Sequence, residues 1–224
     1  MNSTWARGWH LLTAVVAVVA VIVQLSLVVA GESVLVDEDP PGLVERLYRF
    51  FAYFTIQSNI LVATAAITLA RDPQRDGSTW RVLRLAGVVG IFVTGVVHFF
   101  LLRPLLDLDG LGYVCDKLLH VVVPFLAVLG WLAFGPRPRV SLRAIGWALA
   151  WPIGWLAWTL VVGRLDGWFP YPFLDHDEEG WVSVLVACVG ITVLFLVVFA
   201  GAHLADRRLL RPAPSPNPRG LGSR

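Results

Sequence analysis

The chain has 224 residues, of which 57% are hydrophobic and 15% are charged, and its mean hydropathy is +0.70. A water-soluble helical domain would show apolar residues at an amphipathic period, and the long apolar runs here have almost none. The formal net charge of +2 resides in loops that would face anionic lipid, so it gives no indication of a nucleic-acid partner. Composition therefore excludes a soluble enzyme and predicts a protein whose partners are membrane lipids.

Six apolar stretches are each about 17 to 25 residues long, the length that crosses the ~30 Å hydrocarbon layer of a bilayer. The loops between them are too short to hold a soluble domain. The sequence thus predicts an all-α fold, a polytopic six-transmembrane-helix bundle that occupies residues 1–206 as one domain. The predicted spans, in chain order, are 9–30, 50–70, 83–102, 118–134, 144–163 and 182–203.

The loop charges sort by sign, which orients the predicted bundle. Arginines dominate the N-terminus, the second and fourth loops and the C-terminal segment, whereas acidic residues dominate the other three loops. By the positive-inside bias, both termini are predicted to be cytoplasmic in a multi-pass protein of the plasma membrane. Residues 207–224, rich in Arg and Pro, are predicted to form a disordered basic cytoplasmic tail.

Two segments each leave two interpretations open. Val28-Val29-Ala30 would suit a signal peptidase, but the apolar run before it is longer than the ~7 to 15 residues of a signal core, which favours a retained span. After the fifth span, residues 168–173 hold four aromatics and two prolines. They suit an interfacial aromatic belt stiffened by proline, or a rim over an outward-facing site.

Polar side chains inside a span are costly in hydrocarbon and are the first candidates for function. In the second span they share one helical face, and in the fourth a carboxylate and a histidine are four residues apart. At 1.5 Å rise per residue, the threonine and both histidines lie at similar depth in the outer half of the bundle. Short loops make these spans neighbours. The residues concerned are Thr55, Ser58, Asn59, His98, Asp116 and His120.

This set permits acyl transfer. Threonine is a weak nucleophile unless a base removes its proton, and the neutral imidazole of His120 has a suitable pKa to do so for Thr55. Asp116 would fix the tautomer of that imidazole. Ser58, Asn59 or His98 would donate to the developing oxyanion. A purely structural explanation stays open, because Thr and Ser bond back to their own helix and Asn links helices.

The motifs Tyr53-Phe54-Thr55-Ile56-Gln57-Ser58-Asn59 and Leu118-Leu119-His120 followed by Pro124 resemble the androgen-induced-protein-like integral membrane family, in its bacterial six-helix branch. The resemblance covers the chain apart from its tail and implies a bacterial inner-membrane location. In animal members, a Thr and a His are implied to be the nucleophile and base of a hydrolase acting on fatty acid esters of hydroxy fatty acids. By position these roles fall on Thr55 and His120, with a lipid-like small molecule as substrate and neither a metal nor a cofactor. Ser58-Asn59 follows the bacterial pattern, which leaves the substrate open.

Two other functions stay open. One is a non-catalytic lipid-binding or transporter-like bundle, which the polar stripe and the outer aromatics would also suit. The other is a haem protein with His98 and His120 as axial ligands. The oligomeric state is open as well.

Overall fold

The computed structural model describes residues 3–32 and 41–209, and all regular structure in these ranges is helical, as predicted. The α-helices are α1 (Ser3–Ala30), α2 (Leu43–Ala52), α3 (Phe54–Arg71), α4 (Ser78–Val97), α5 (Gly110–Lys117), α6 (Val123–Phe134), α7 (Leu142–Asp166) and α8 (Gly180–Arg208). Of the predicted tail, Arg207 and Arg208 belong to α8, and residues 210–224 lie outside the described ranges.

Five continuous helical segments are long and apolar enough to cross a membrane. Two of them include π-helical or 3₁₀ turns: one consists of α4 and the turns that follow it to Leu105, and the other joins α5 to α6. The sixth candidate is the pair α2 and α3, which is bent by 67°. The bundle therefore has five membrane-length helices, or six if the bent pair counts as one span. The segments are Ser3–Ala30, Ser78–Leu105, Gly110–Phe134, Leu142–Asp166 and Gly180–Arg208.

The span predicted over 50–70 contains the break between α2 and α3. Tyr53 has an extended backbone, with φ of −63° and ψ of 126°, and it ends α2 while capping α3. The short α2 is amphipathic, with an ion pair of 2.6 Å between Arg49 and Glu45, and with Val44 and Phe51 exposed. Such a helix suits a membrane interface better than a hydrocarbon core. As a consequence, α3 begins at Phe54, and Thr55 lies in its first turn.

Two π-helical turns occur at the same end of the bundle. In His98–Leu102, the backbone N–H of Arg103 donates to the carbonyl of His98. In Leu118–Val122, the N–H of Val123 donates to the carbonyl of Leu118. Pro124 accounts for the second turn, because it has no N–H for the carbonyl four residues earlier and its ring crowds that carbonyl. Each π turn holds one of the two candidate histidines.

The centre of the bundle is α4, which packs against α3, α6, α7 and α8, while α1 covers α3 and α6. Gly95 on α4 lies close to the π turn before α6. A Cβ atom at Gly95 would lie 3.0 Å from the carbonyl oxygen of His120. A larger residue here would crowd the π turn that carries the histidine.

At the opposite end, a buried carboxylate ties α8 to the loop between α6 and α7. Asp206 is 1% exposed, and its Oδ2 accepts hydrogen bonds from the N–H groups of Arg139 and Val140 at 2.7 and 2.8 Å. Arg139 also pairs with Asp76 in the loop between α3 and α4. This end carries the arginine-rich loops, and we call it the basic end; the other, which holds the candidate site, we call the acidic end.

Candidate active site

Thr55 and His120 are in contact. The Oγ1 of Thr55 lies 3.3 Å from Nε2 of His120, although the two residues are on different helical segments. Thr55 is 5% exposed, and the side chain of His120 is 11% exposed. Thr55 and His120, which helical rise places at similar depth, therefore lie side by side in the structure.

The other ring nitrogen of His120 fixes its tautomer. Nδ1 lies 3.0 Å from the backbone carbonyl oxygen of Asp116 and 2.9 Å from Oδ1 of the same residue. A carbonyl oxygen accepts hydrogen bonds and cannot donate, so Nδ1 must carry the proton. In the neutral ring, Nε2 then presents a lone pair to the Thr55 hydroxyl. This is the arrangement that a general base requires.

Asp116 is shared between two histidines and a lysine. Its Oδ1 also lies 3.3 Å from Nε2 of His98, and its Oδ2 is 2.8 Å from Nζ of Lys117. The rings of His98 and His120 stack in parallel, with centroids 3.8 Å apart and 8° between their planes. His98 therefore restrains the His120 ring from one face, while the carboxylate is placed to stabilise a positive charge on it.

Ser58 and Asn59 are buried, but their donors point away from the Thr55 hydroxyl. The Ser58 hydroxyl donates to the carbonyl of Phe54 at 2.8 Å. The Asn59 amide donates to the carbonyl of Thr55 at 2.9 Å and to that of Leu119 at 3.4 Å. Only the bond to Leu119 ties α3 to the π turn of His120, while the other two stay within α3. The geometry therefore gives an oxyanion role for Ser58 and Asn59 no support. His98 likewise stacks on His120 rather than facing Thr55.

The sequence reasoning missed Tyr171 as a site residue. Its Oη accepts a hydrogen bond from the backbone N–H of Thr55 at 3.2 Å and lies 3.2 Å from the Thr55 Oγ1. Burial raises the pKa of the Tyr171 phenol above its ordinary value, although hydrogen bonds with Thr55 oppose this. The phenol therefore keeps its proton and can donate it to an oxygen at this position. The run of aromatics and prolines at 168–173 was the available signal, but nothing in the sequence relates Tyr171 to Thr55.

Local structure positions both partners of this contact. Thr55 occupies the first turn of α3, where the helix dipole favours negative charge. Tyr171 precedes a short 3₁₀ turn, Pro172–Leu174, and its ring stacks on Phe173 with centroids 5.3 Å apart. The neighbouring Phe169 packs directly on Gly163 of α7, where a Cβ would lie 2.3 Å from the ring. The aromatic segment is thus folded back over α3.

Two cavities meet at Thr55 and Tyr171. The first, of about 280 Å³, opens at the acidic end and is lined by His98, Asp116 and His120 together with residues of α2. The second, of about 180 Å³, runs between α4, α7 and α8 and is lined almost wholly by apolar side chains. The hydroxyl of Thr55 therefore borders a polar chamber on one side and an apolar one on the other.

One group of side chains has the composition of a metal site. Candidate ligand atoms of His98, Asp116 and His120 lie within 4.8 Å of one another, and two imidazoles with a carboxylate form a known donor set. The lone pairs of the two imidazoles lie in parallel ring planes and cannot converge on one ion unless a ring turns. Axial ligation of a haem would need these rings on opposite faces of a porphyrin, which stacking at 3.8 Å does not allow. The arrangement suits proton transfer better than metal or haem binding.

No protein-family model, curated protein or solved structure matches the chain. Fold and site together define an all-helical apolar bundle, compatible with a membrane protein, that encloses a Thr–His–Asp cluster.

Proposed function

We propose that the protein is a membrane-embedded hydrolase of lipid esters in which Thr55 is the nucleophile and His120 the general base. The observation that carries the proposal is the 3.3 Å contact between Thr55 Oγ1 and Nε2 of His120, beside two cavities. The resemblance of both segments to the androgen-induced-protein-like family points the same way. By the loop charges, the site faces the extracytoplasmic side of a plasma membrane, in a bacterial cell by that same resemblance.

In the first half-reaction, Thr55 Oγ1 attacks the carbonyl carbon of the ester while His120 Nε2 takes the hydroxyl proton. The negative charge of Asp116 stabilises the resulting imidazolium. The tetrahedral intermediate collapses as Nε2 returns the proton to the leaving alcohol oxygen. An acyl group then remains on Thr55.

In the second half-reaction, a water molecule from the polar cavity takes the place of the alcohol. His120 removes its proton, the oxygen attacks the acyl carbon, and the bond to Thr55 breaks. Thr55 regains its proton from His120, and a carboxylic acid leaves. In both halves, the phenol of Tyr171 donates to the oxyanion, close to the N-terminus of α3.

The proposal is tested with the purified full-length protein in lipid nanodiscs and a chromogenic long-chain ester. Thr55→Ala and His120→Ala should each reduce turnover to background, because each removes a reacting group. Thr64→Ala provides the matched control, since Thr64 is an exposed threonine on the same helix. Turnover that survives both of the first two substitutions would contradict the assignment.

A second candidate function, lipid binding without turnover, is favoured by the apolar cavity between α4, α7 and α8. It predicts that the protein retains labelled lipid through purification, that no ester is cleaved, and that Thr55→Ala changes nothing. The turnover assay above therefore separates the two.

A further inference from the structure

We infer that the apolar cavity between α4, α7 and α8 is the binding site for the acyl chain of the ester, and that this chain reaches Thr55 sideways from the bilayer. The inference rests on the hydrolase function proposed above. It adds which side of Thr55 receives the acyl chain, how that chain arrives and how much of it is bound. We call this cavity the acyl groove.

The lining of the acyl groove suits a hydrocarbon. Its floor is α4, and its walls are the facing sides of α7 and α8, with Val93, Val97, Leu149, Leu156, Ile191 and Phe195 among the lining residues. Two hydroxyls in the lining are already satisfied within the protein. Thr94 donates to Ser58 Oγ at 3.4 Å, and Thr192 donates to the carbonyl of Cys188 at 2.7 Å. No polar group of the ligand is therefore needed to complete the groove.

The groove opens to the side of the bundle. Over the described residues, α7 and α8 each pack against α4 but do not pack closely against one another. Ile153 on α7 and Leu196 on α8 line the groove and are 63% and 50% exposed. Both belong to segments of membrane length, so this opening would face lipid tails rather than water. An acyl chain would enter here without crossing an aqueous phase.

The groove is continuous with the reacting atoms, because Thr55 and Tyr171 line it as well as the polar cavity. An ester carbonyl held at Thr55 can thus lay its acyl chain in the groove and its alcohol part in the polar cavity. The reverse arrangement would leave the acyl-enzyme's chain among His98, Asp116 and His120. It would also obstruct the side from which water must come.

The depth of the groove limits the length of chain it binds. Its wall on α8 extends from Cys188 to Leu196, a rise of eight residue steps or about 12 Å along the helix axis, which matches roughly ten methylene groups. Cys188 is nearer the acidic end, where Thr55 lies, and Leu196 is two turns further into the bundle. Carbons beyond about the tenth would extend through the opening into the bilayer.

The experiment measures kcat/KM for chromogenic esters with acyl chains of two to fourteen carbons. For the wild-type protein, kcat/KM should rise by up to about fourfold per added methylene and level off near ten carbons. Cys188→Trp should reduce kcat/KM at least tenfold for chains of six carbons or more and leave the acetate within threefold. Leu196→Trp should leave kcat/KM unchanged for chains of up to six carbons and reduce it for chains of ten carbons or more. Dividing the kcat/KM of each variant by that of the wild type, ester by ester, cancels the effect of ester partitioning into the nanodisc.

The matched control is Val189→Trp, since Val189 is 62% exposed and adjoins Cys188 on α8 without lining the groove. It should leave the chain-length profile unchanged. If Thr55→Ala abolishes turnover but both groove variants follow the wild-type profile, the hydrolase function stands and the acyl groove is wrong. If turnover survives Thr55→Ala, Thr55 is not the nucleophile, and the proposed mechanism and this inference fall together.

A second measurement does not depend on turnover. A fatty ester with a photoreactive diazirine near the eighth carbon, added to Thr55→Ala protein, should cross-link to the peptide that contains Cys188 and Leu196. An excess of unlabelled ester should compete for this labelling. Cross-links at α2 or at residues 168–173 would overturn the inference, and so would labelling of α8 that unlabelled ester does not reduce, since bulk lipid tails would produce that result.

Discussion

Replacing Asp116 by asparagine tests what sets the tautomer of His120. In a catalytic triad where a carboxylate is the sole acceptor for Nδ1, its Asn variant loses about 10⁴ in kcat because the ring adopts the wrong tautomer. Here Nδ1 has a second acceptor, the backbone carbonyl of residue 116, at 3.0 Å. That carbonyl remains in the Asn variant. The ring should therefore keep its proton on Nδ1, and the loss should be smaller.

The size of the loss follows from the charge that is removed. A carboxylate and an imidazolium about 4 Å apart attract by about 4 kcal/mol at an effective dielectric constant near 20. The ammonium of Lys117, 2.8 Å from the carboxylate, offsets part of this attraction. About 2 to 3 kcal/mol of transition-state stabilisation would then be lost in Asp116→Asn, which is roughly a hundredfold in kcat/KM.

The assay compares Asp116→Asn with wild type on a short chromogenic ester, for which the acyl groove contributes least. Asp107→Asn is the control, because Asp107 is an exposed carboxylate at the same end of the bundle. A loss as complete as that of His120→Ala would show that the backbone carbonyl does not hold the tautomer. Wild-type activity in Asp116→Asn would show that the carboxylate takes no part, and either result would refute the reasoning.

Three further substitutions test other parts of the account. Tyr171→Phe keeps the ring but removes the phenolic donor, so kcat should fall about a hundredfold. It also leaves the buried N–H of Thr55 without an acceptor, which should lower the free energy of unfolding by about 1 to 3 kcal/mol. Gly95→Ala places a methyl group 3.0 Å from the carbonyl of His120 and should lower kcat about tenfold by displacing the imidazole, whereas Gly146→Ala, with open space around its Cβ, should not. Asp206→Ala leaves the buried N–H of Val140 and the half-buried N–H of Arg139 without an acceptor. It should lower the free energy of unfolding by about 2 to 4 kcal/mol, with turnover per folded molecule unchanged. An unchanged thermal midpoint in Asp206→Ala would mean that water replaces the carboxylate.

The all-helical fold was predictable because a chain that crosses hydrocarbon must form long apolar helices, and such helices are recognised from the hydropathy of the sequence. The contact between Thr55 and His120 was also predictable. The rise per residue gives the depth of each side chain in the bundle, and short loops make their helices neighbours. Their catalytic roles, the six-span count and the side of the membrane on which each end lies stay predictions.

The rest depended on backbone geometry that hydropathy does not register. The break at Tyr53 lies inside a continuous apolar run. The one sequence feature that indicates it is the amphipathic pattern of α2. The π turn before Pro124 follows from proline chemistry, but its effect on His120 depends on how closely Gly95 lets α4 approach. The directions of the Ser58 and Asn59 donors are set by local carbonyls. Tyr171 is brought to Thr55 by a loop fold that sequence spacing does not encode.

The central claim is that Thr55 carries the acyl group during turnover, and peptide mass spectrometry after brief exposure to a fluorophosphonate probe tests it most directly. The account predicts one adduct, on the peptide that contains Thr55, which His120→Ala suppresses and Thr64→Ala leaves intact. An adduct on another residue, or labelling of Thr55 that does not depend on His120, would contradict it.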